Sequence, residues 1–232
     1  MTYLHIALTL AATLSAALPA QATTQDEILD AALLPGWQME NGHHMSGLAL
    51  TLAPNWKTYW RSPGEAGIPP LFDWSGSQNV KSIRIHWPSP EVFHTNGMQT
   101  IGYHERVVLP IEVTPVQPGQ PILLRAQVEL GVCKDICMPA AIEVQARLTN
   151  PGQPDEAIRA ALKSRPRTAD EAGLAGIGCT LAPIDDGMRL TATLTLPRRG
   201  AAEVVVFETN DRAVWVSEAQ TNRAGGVLTS IT

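Results

Sequence analysis

Two cysteines separated by three residues, Cys133 and Cys137 in Gly131-Val132-Cys133-Lys134-Asp135-Ile136-Cys137-Met138-Pro139, are the side chains whose type and spacing point most directly to chemistry. A thiolate attacks a disulfide sulfur and forms a mixed disulfide, so a closely spaced pair can pass two electrons to another protein. Lys134 favours the thiolate of Cys133, while Asp135 opposes it. A purely structural bridge here is a poor use of two cysteines, because closing a loop of about five residues restrains the unfolded chain by only roughly 2 kcal/mol. A tight, exposed ring is also readily reduced. By spacing alone, three readings stand: a redox pair, a plain disulfide, and part of a metal site. The third cysteine, Cys179, makes the count odd. It fits either a free buried thiol or half of a disulfide, and its partner is expected beyond Thr232.

Other chemistry has less support. His43, His44 and Met45 cluster two imidazoles and a thioether, and His94, Met98 and His104 form a second group. Soft ligands of this kind suit Cu(I), but adjacent histidines point apart on a strand. No second Cys/His pair stands at zinc-finger spacing, and the pattern calls for no cofactor. Ser46-Gly47 and Ser75-Gly76 make no nucleophile elbow, and no pair of carboxylates stands out, so hydrolase chemistry finds no support. Trp56, Trp60, Trp74 and Trp87 crowd one region and are expected in a core. The alternative is an interface, in which case the chain is a non-catalytic envelope interaction module with a structural disulfide.

Residues 6–18 are uncharged and apolar and end in Pro19-Ala20-Gln21-Ala22, the pattern of a cleaved secretory signal over residues 1–22. The run is too short to span a bilayer, and no later segment is long and apolar enough. The expected product is periplasmic and not itself transmembrane after cleavage. A net charge of −5 without a Lys/Arg cluster argues against nucleic acid as a partner.

The elements that must hold the cysteines read as short strands. Leu48, Leu50 and Leu52 alternate with Ala49 and Thr51; Val80, Ile83 and Ile85 mark a second strand. Residues 107–113, 122–130 and 141–148 follow, broken by Pro and Gly, which is the pattern of an antiparallel sandwich. The cysteine pair falls at the turn between the last two. Asn150-Pro151-Gly152-Gln153-Pro154 is a turn cluster, after which Asp155 caps a helix from Glu156 to Lys163. Beyond Thr180, alternation over 189–196, the apolar run 204–208 and Val214-Trp215-Val216 read as further strands, and the last, over 227–232, is expected to continue past Thr232. The expected architecture is all-β: a sandwich over 23–149, a linker with a short helix over 150–172, and a smaller, incomplete β domain over 173–232.

Several of these segments together resemble the N-terminal domain of DsbD-type disulfide reductases, the ScsB-like branch above all. They are Pro54-Asn55-Trp56-Lys57-Thr58-Tyr59-Trp60-Arg61, Phe72-Asp73-Trp74, Pro88-Ser89-Pro90-Glu91-Val92-Phe93, Ile101-Gly102-Tyr103, Leu109-Pro110-Ile111 and the cysteine loop. The resemblance covers roughly 35–145 and, more loosely, the second β region. It implies an immunoglobulin-like sandwich with the cysteines at a hairpin end. It further implies transfer of electrons from a membrane-embedded donor of the DsbD or CcdA kind to periplasmic thioredoxin-like proteins, in processes such as copper tolerance and cytochrome c biogenesis. Cys133 and Cys137 fall on the family's active pair, with a shorter spacing than in DsbD. Tyr59 falls where the family keeps a tyrosine near the cysteines. Phe93 falls in the cap loop that shields the sulfurs. The sequence does not fix which cysteine attacks; the provisional order gives Cys133 the attack and Cys137 the resolving step. DsbD-type chains continue into a multi-helix membrane domain and a thioredoxin-like domain; neither is found in these 232 residues, so two expectations stand: those modules are separate polypeptides, or the chain is a stand-alone relative with different partners.

Overall fold

A computed structural model describes residues 24–95, 97–200, 202–211 and 213–232. The expected signal segment, residues 1–22, lies outside the described residues. A single helical turn α1 (Gln25–Ile28) leads into β1 (Leu29–Gln38), β2 (His44–Leu52), β3 (Lys57–Tyr59), β4 (Leu71–Asp73), β5 (Val80–Ile85), β6 (Glu91–Thr95), β7 (Met98–His104), β8 (Arg106–Pro115), β9 (Ile122–Cys133) and β10 (Cys137–Leu148). Two helices, α2 (Glu156–Lys163) and α3 (Ala169–Ala172), precede β11 (Gly176–Ile184), β12 (Gly187–Thr195), β13 (Gln220–Ala224) and β14 (Val227–Ile231).

The first ten strands form two antiparallel sheets. One has the order β1-β2-β8-β5; the other runs β10-β9-β3-β7-β6, with β4 also paired to β9. The chain is thus an immunoglobulin-like, all-β sandwich followed by a further antiparallel sheet. Period-two alternation explains the packing. Leu48, Leu50 and Leu52 turn inward from β2 and meet Leu109, Ile111 and Val113 of β8, while β9 contributes Ile122, Leu124, Ala126, Val128, Leu130 and Val132. Trp56 and Trp60 belong to this core, and Trp74 and Trp87 pack against it around Phe72.

The outer face of the first sheet is covered by α2. Asp155 caps it, accepting hydrogen bonds from Ala157 N at 2.8 Å and Ile158 N at 3.1 Å. Ile158 is fully buried with Met45, Val108 and Ala161. Gly47 makes the close approach feasible, since a Cβ there would lie 2.9 Å from Ile158 Cγ1.

The third sheet has the order β11-β12-β14-β13. Two segments expected as strands here are not. Residues 204–208 and 214–216 run without ladder pairing. Val204 and Val206 pack against the sandwich core, so their apolar character serves burial there. Arg61 donates to both oxygens of Glu208 at 2.7 and 2.9 Å and fixes the same segment. Trp215 is 74% exposed.

Candidate redox site

The cysteines close the far end of a long hairpin. β9 and β10 pair along twelve rungs, from Leu148 opposite Ile122 to Cys137 opposite Cys133. A three-residue turn, Lys134-Asp135-Ile136, joins them, with Lys134 N bonded to Ile136 O at 3.1 Å. Cys133 and Cys137 form a disulfide. Their surroundings differ: Cys133 is 1% exposed, whereas Cys137 is exposed.

Short β3 sets the rest of the site. It lies between β9 and β7, with Lys57 opposite both Cys133 and His104, and Tyr59 opposite Gly102. Residues directly opposite share a face, so Cys133, Lys57, Tyr59, Thr100 and His104 look out from the sheet while Val132, Thr58, Ile101 and Tyr103 look into the core. The Tyr59 hydroxyl stands 2.7 Å from Cys133 Sγ and 3.3 Å from Cys137 Sγ. The sulfurs of a disulfide have no proton to give, so the hydroxyl donates. A phenol is protonated at neutral pH, and burial pushes that of Tyr59 above its ordinary value.

Gly131, two residues before Cys133 and on the same face, makes room for this tyrosine. A Cβ there would lie 2.9 Å from the Tyr59 ring and 2.7 Å from Ile68 Cβ. Thr58 Oγ1 donates to Gly131 O at 2.9 Å and pins β3 to β9 at the same level.

Phe93 lies on β6, opposite Thr100 in the β6–β7 hairpin. Its ring packs edge-to-face on His104, centroids 4.4 Å apart, and covers the Lys57 ammonium at 4.8 Å. It thus sits across Lys57, one residue removed from Cys133, and leaves Cys137 exposed. Lys57 Nζ also donates to Thr100 Oγ1 at 3.1 Å. Burial lowers the Lys57 ammonium from its ordinary value. Neither Lys57 nor Gly131 stands out in the sequence as functional. The signal that finds them is the period of two: each lies two residues before a predicted site residue on its own strand, Tyr59 and Cys133 respectively.

The candidate copper ligands do not converge. His43 Nδ1 pairs with Glu112 Oε1 at 2.6 Å, and His86 Nε2 with Glu112 Oε2 at 2.9 Å. His44 is buried, with Nε2 2.8 Å from Pro35 O, and Met45 lies under α2. His94 and Met98 are exposed on the β6–β7 hairpin, and His104 Nδ1 is 3.2 Å from Glu91 Oε2. Among the described residues, no group of three or more His, Cys, Asp or Glu could hold a metal ion. Cys179, read as a buried thiol or as half of a disulfide with a partner beyond Thr232, is not buried: it is exposed and unbridged among the described residues, on β11, an edge strand whose nine residues are all exposed.

A buried tyrosine hydroxyl bridges the two sulfurs of a hairpin-end disulfide, and in the same sheet Phe93 covers Lys57, the residue opposite Cys133; this arrangement suits thiol–disulfide exchange. The family model of the thiol:disulfide interchange protein DsbD, N-terminal, matches residues 30–149. The chain belongs to this family. The DsbD N-terminal match takes in both sheets of the sandwich, the cysteine hairpin and the β6–β7 hairpin. The structure is similar to the N-terminal periplasmic domain of ScsB from Proteus mirabilis, with a TM-score of 0.65 and 25% identity, covering 90% of this chain and 81% of that one. No match to a curated protein sequence was found. Membership makes this a thiol–disulfide interchange domain of the DsbD type. Among the described residues, no helix is long and apolar enough to cross a membrane.

Proposed function

We propose that this domain works in the periplasm as an electron carrier, taking electrons from a membrane-embedded donor of the DsbD or CcdA kind and passing them to thioredoxin-like proteins through Cys133 and Cys137. The observation that carries this reading is the asymmetry of the pair: one sulfur buried against a tyrosine hydroxyl, the other exposed. That asymmetry reverses the order of attack expected from Lys134. A donor's thiolate reaches Cys137 Sγ. The new S–S bond forms there, the Cys133–Cys137 bond breaks, and its electron pair leaves on Cys133 Sγ. The donor's second thiolate then attacks the donor sulfur of the mixed disulfide, so that the donor is oxidised and both cysteines of the domain are reduced.

Delivery runs the other way. The Cys137 thiolate attacks an acceptor disulfide, Cys133 displaces the acceptor sulfur from Cys137, and the acceptor leaves with two thiols while the domain regains its disulfide. Tyr59 donates to the sulfur that holds charge, and Phe93 covers Lys57 beside the pair, where a docked partner meets it. A sandwich offers no helix N-terminus to lower a thiol's pKa, so reactivity rests on exposure and local charge.

Trapping tests the order. With Cys179→Ser as background, the reduced Cys133→Ser protein should hold an oxidised thioredoxin-fold protein as a mixed disulfide through Cys137, seen on a non-reducing gel. Cys137→Ser should hold none. Trapping by Cys137→Ser alone would overturn the assignment.

A further inference from the structure

Lys57 is a buried ammonium with uncharged company. The residue is 9% exposed, its Nζ touches the Thr100 hydroxyl and the Phe93 ring, and among the described residues no carboxylate forms an ion pair with it. Charges taken out of water are ordinarily matched by an opposite charge, because desolvation otherwise goes uncompensated. The anion missing here is not far away. Lys57 stands directly opposite Cys133 on the same face, where opposed Cβ atoms lie about 5 Å apart. Cys133 is 1% exposed, so a thiolate released there is itself poorly hydrated and has one neutral donor, the Tyr59 hydroxyl. The other ionisable groups around this face are His104, paired with Glu91, and Lys134 and Asp135 in the exposed turn. Lys57 is the buried cation among them.

We propose that Lys57 is the counter-ion of the Cys133 thiolate. In the disulfide form its charge is held by the Phe93–Thr100 rung of the cap hairpin. When a partner's thiolate bonds to Cys137 Sγ, the electron pair of the broken S–S bond passes to Cys133 Sγ, and the ammonium gains the anion it lacks. The same contacts tie the cap to the chemistry, since a partner that lifts Phe93 removes one of the two groups that hold the ammonium away from the sulfur. The inference rests on the reading of the cysteines as an exchange pair.

The test is the ionisation of Cys133 in Cys137→Ser, Cys179→Ser protein, followed by thiolate absorbance and by the pH profile of alkylation. Lys57→Met should cut the thiolate fraction near neutral pH about tenfold, and Lys57→Arg should restore most of it. An unchanged profile in folded Lys57→Met would overturn the proposal. A measurement free of substitution at Lys57 stands beside it: in the protein with its three native cysteines, the Lys57 ammonium followed by NMR should titrate at higher pH after reduction than before, and equal titration in both states would equally overturn it. Failure of the wider reading looks different. Wild-type protein would then exchange with no thioredoxin-fold partner, whatever Lys57 does to the thiol.

Discussion

Tyr59 holds one proton between two sulfurs, and burial moves the phenol's titration still further above neutral pH. In the exchange we propose, its value lies in the state that follows bond breaking, when charge collects on the buried Cys133 and a hydrogen bond to a charged group is stronger than one to a neutral sulfur. Tyr59→Phe removes the donor and keeps the ring that fills the space over Gly131. The expected result is a roughly tenfold slower reduction by a protein dithiol, the loss of a hydrogen bond of about 1.5 kcal/mol, with thermal stability little changed. An unchanged rate, measured by stopped-flow mixing, would reduce Tyr59 to packing. At this scale the sequence was partly legible. The cysteines and Tyr59 stand in recognisable places, whereas a lysine on a strand is ordinarily read as solvated, and nothing local betrays that Phe93 and β7 enclose Lys57.

At the scale of elements, alternation made most of the sandwich readable: β2, β5, β8, β9 and β10 all contain the apolar residues that mark them, and α2 runs from Glu156 to Lys163 as its cap predicts. The β6–β7 hairpin was not legible as strands, because Glu91–Thr95 is largely exposed and lacks an apolar face. The expected strand at 204–208 failed for the converse reason, since Val204 and Val206 are used against the sandwich; at 214–216 Val214 and Trp215 stay exposed and the segment pairs with no strand. Beside α2, Glu112 joins β8 to His43 and His86. The hydrogen bond from His43 holds its carboxyl below the ordinary value, with His86 adding to the effect and burial opposing it. A folded-state value below the unfolded one contributes stability that is present above the ordinary carboxylate range, about pH 4.5, and is lost as pH falls through the depressed value. Thermal melts from pH 6 to 3 should therefore show a shallower acid limb in Glu112→Gln than in the native protein. Parallel limbs would show that the pairing contributes nothing to acid stability.

Across the whole molecule, the cysteine pair lies at one end of the sandwich, and residues 202–211 and 213–219 run between the sandwich and the third sheet. The Arg61–Glu208 pair and the burial of Val204 and Val206 place that junction next to the loop that follows β3. An open cleft of about 710 Å³ lies between the two, lined on one side by Gly64, Glu65 and Gly67 and on the other by Phe207 and Trp215. A division into a sandwich up to residue 149, a helical connection and a β region from 173 is our proposal for how the chain is organised. Exchange through the Cys133–Cys137 pair stands or falls on the pair's reduction potential. Equilibration of Cys179→Ser protein in thiol/disulfide buffers, with free thiols counted at each ratio, should place the pair between roughly −180 and −270 mV, where exchange proteins lie. A value below about −300 mV, the range of structural disulfides, would contradict the account and leave the pair a staple of the β9–β10 hairpin.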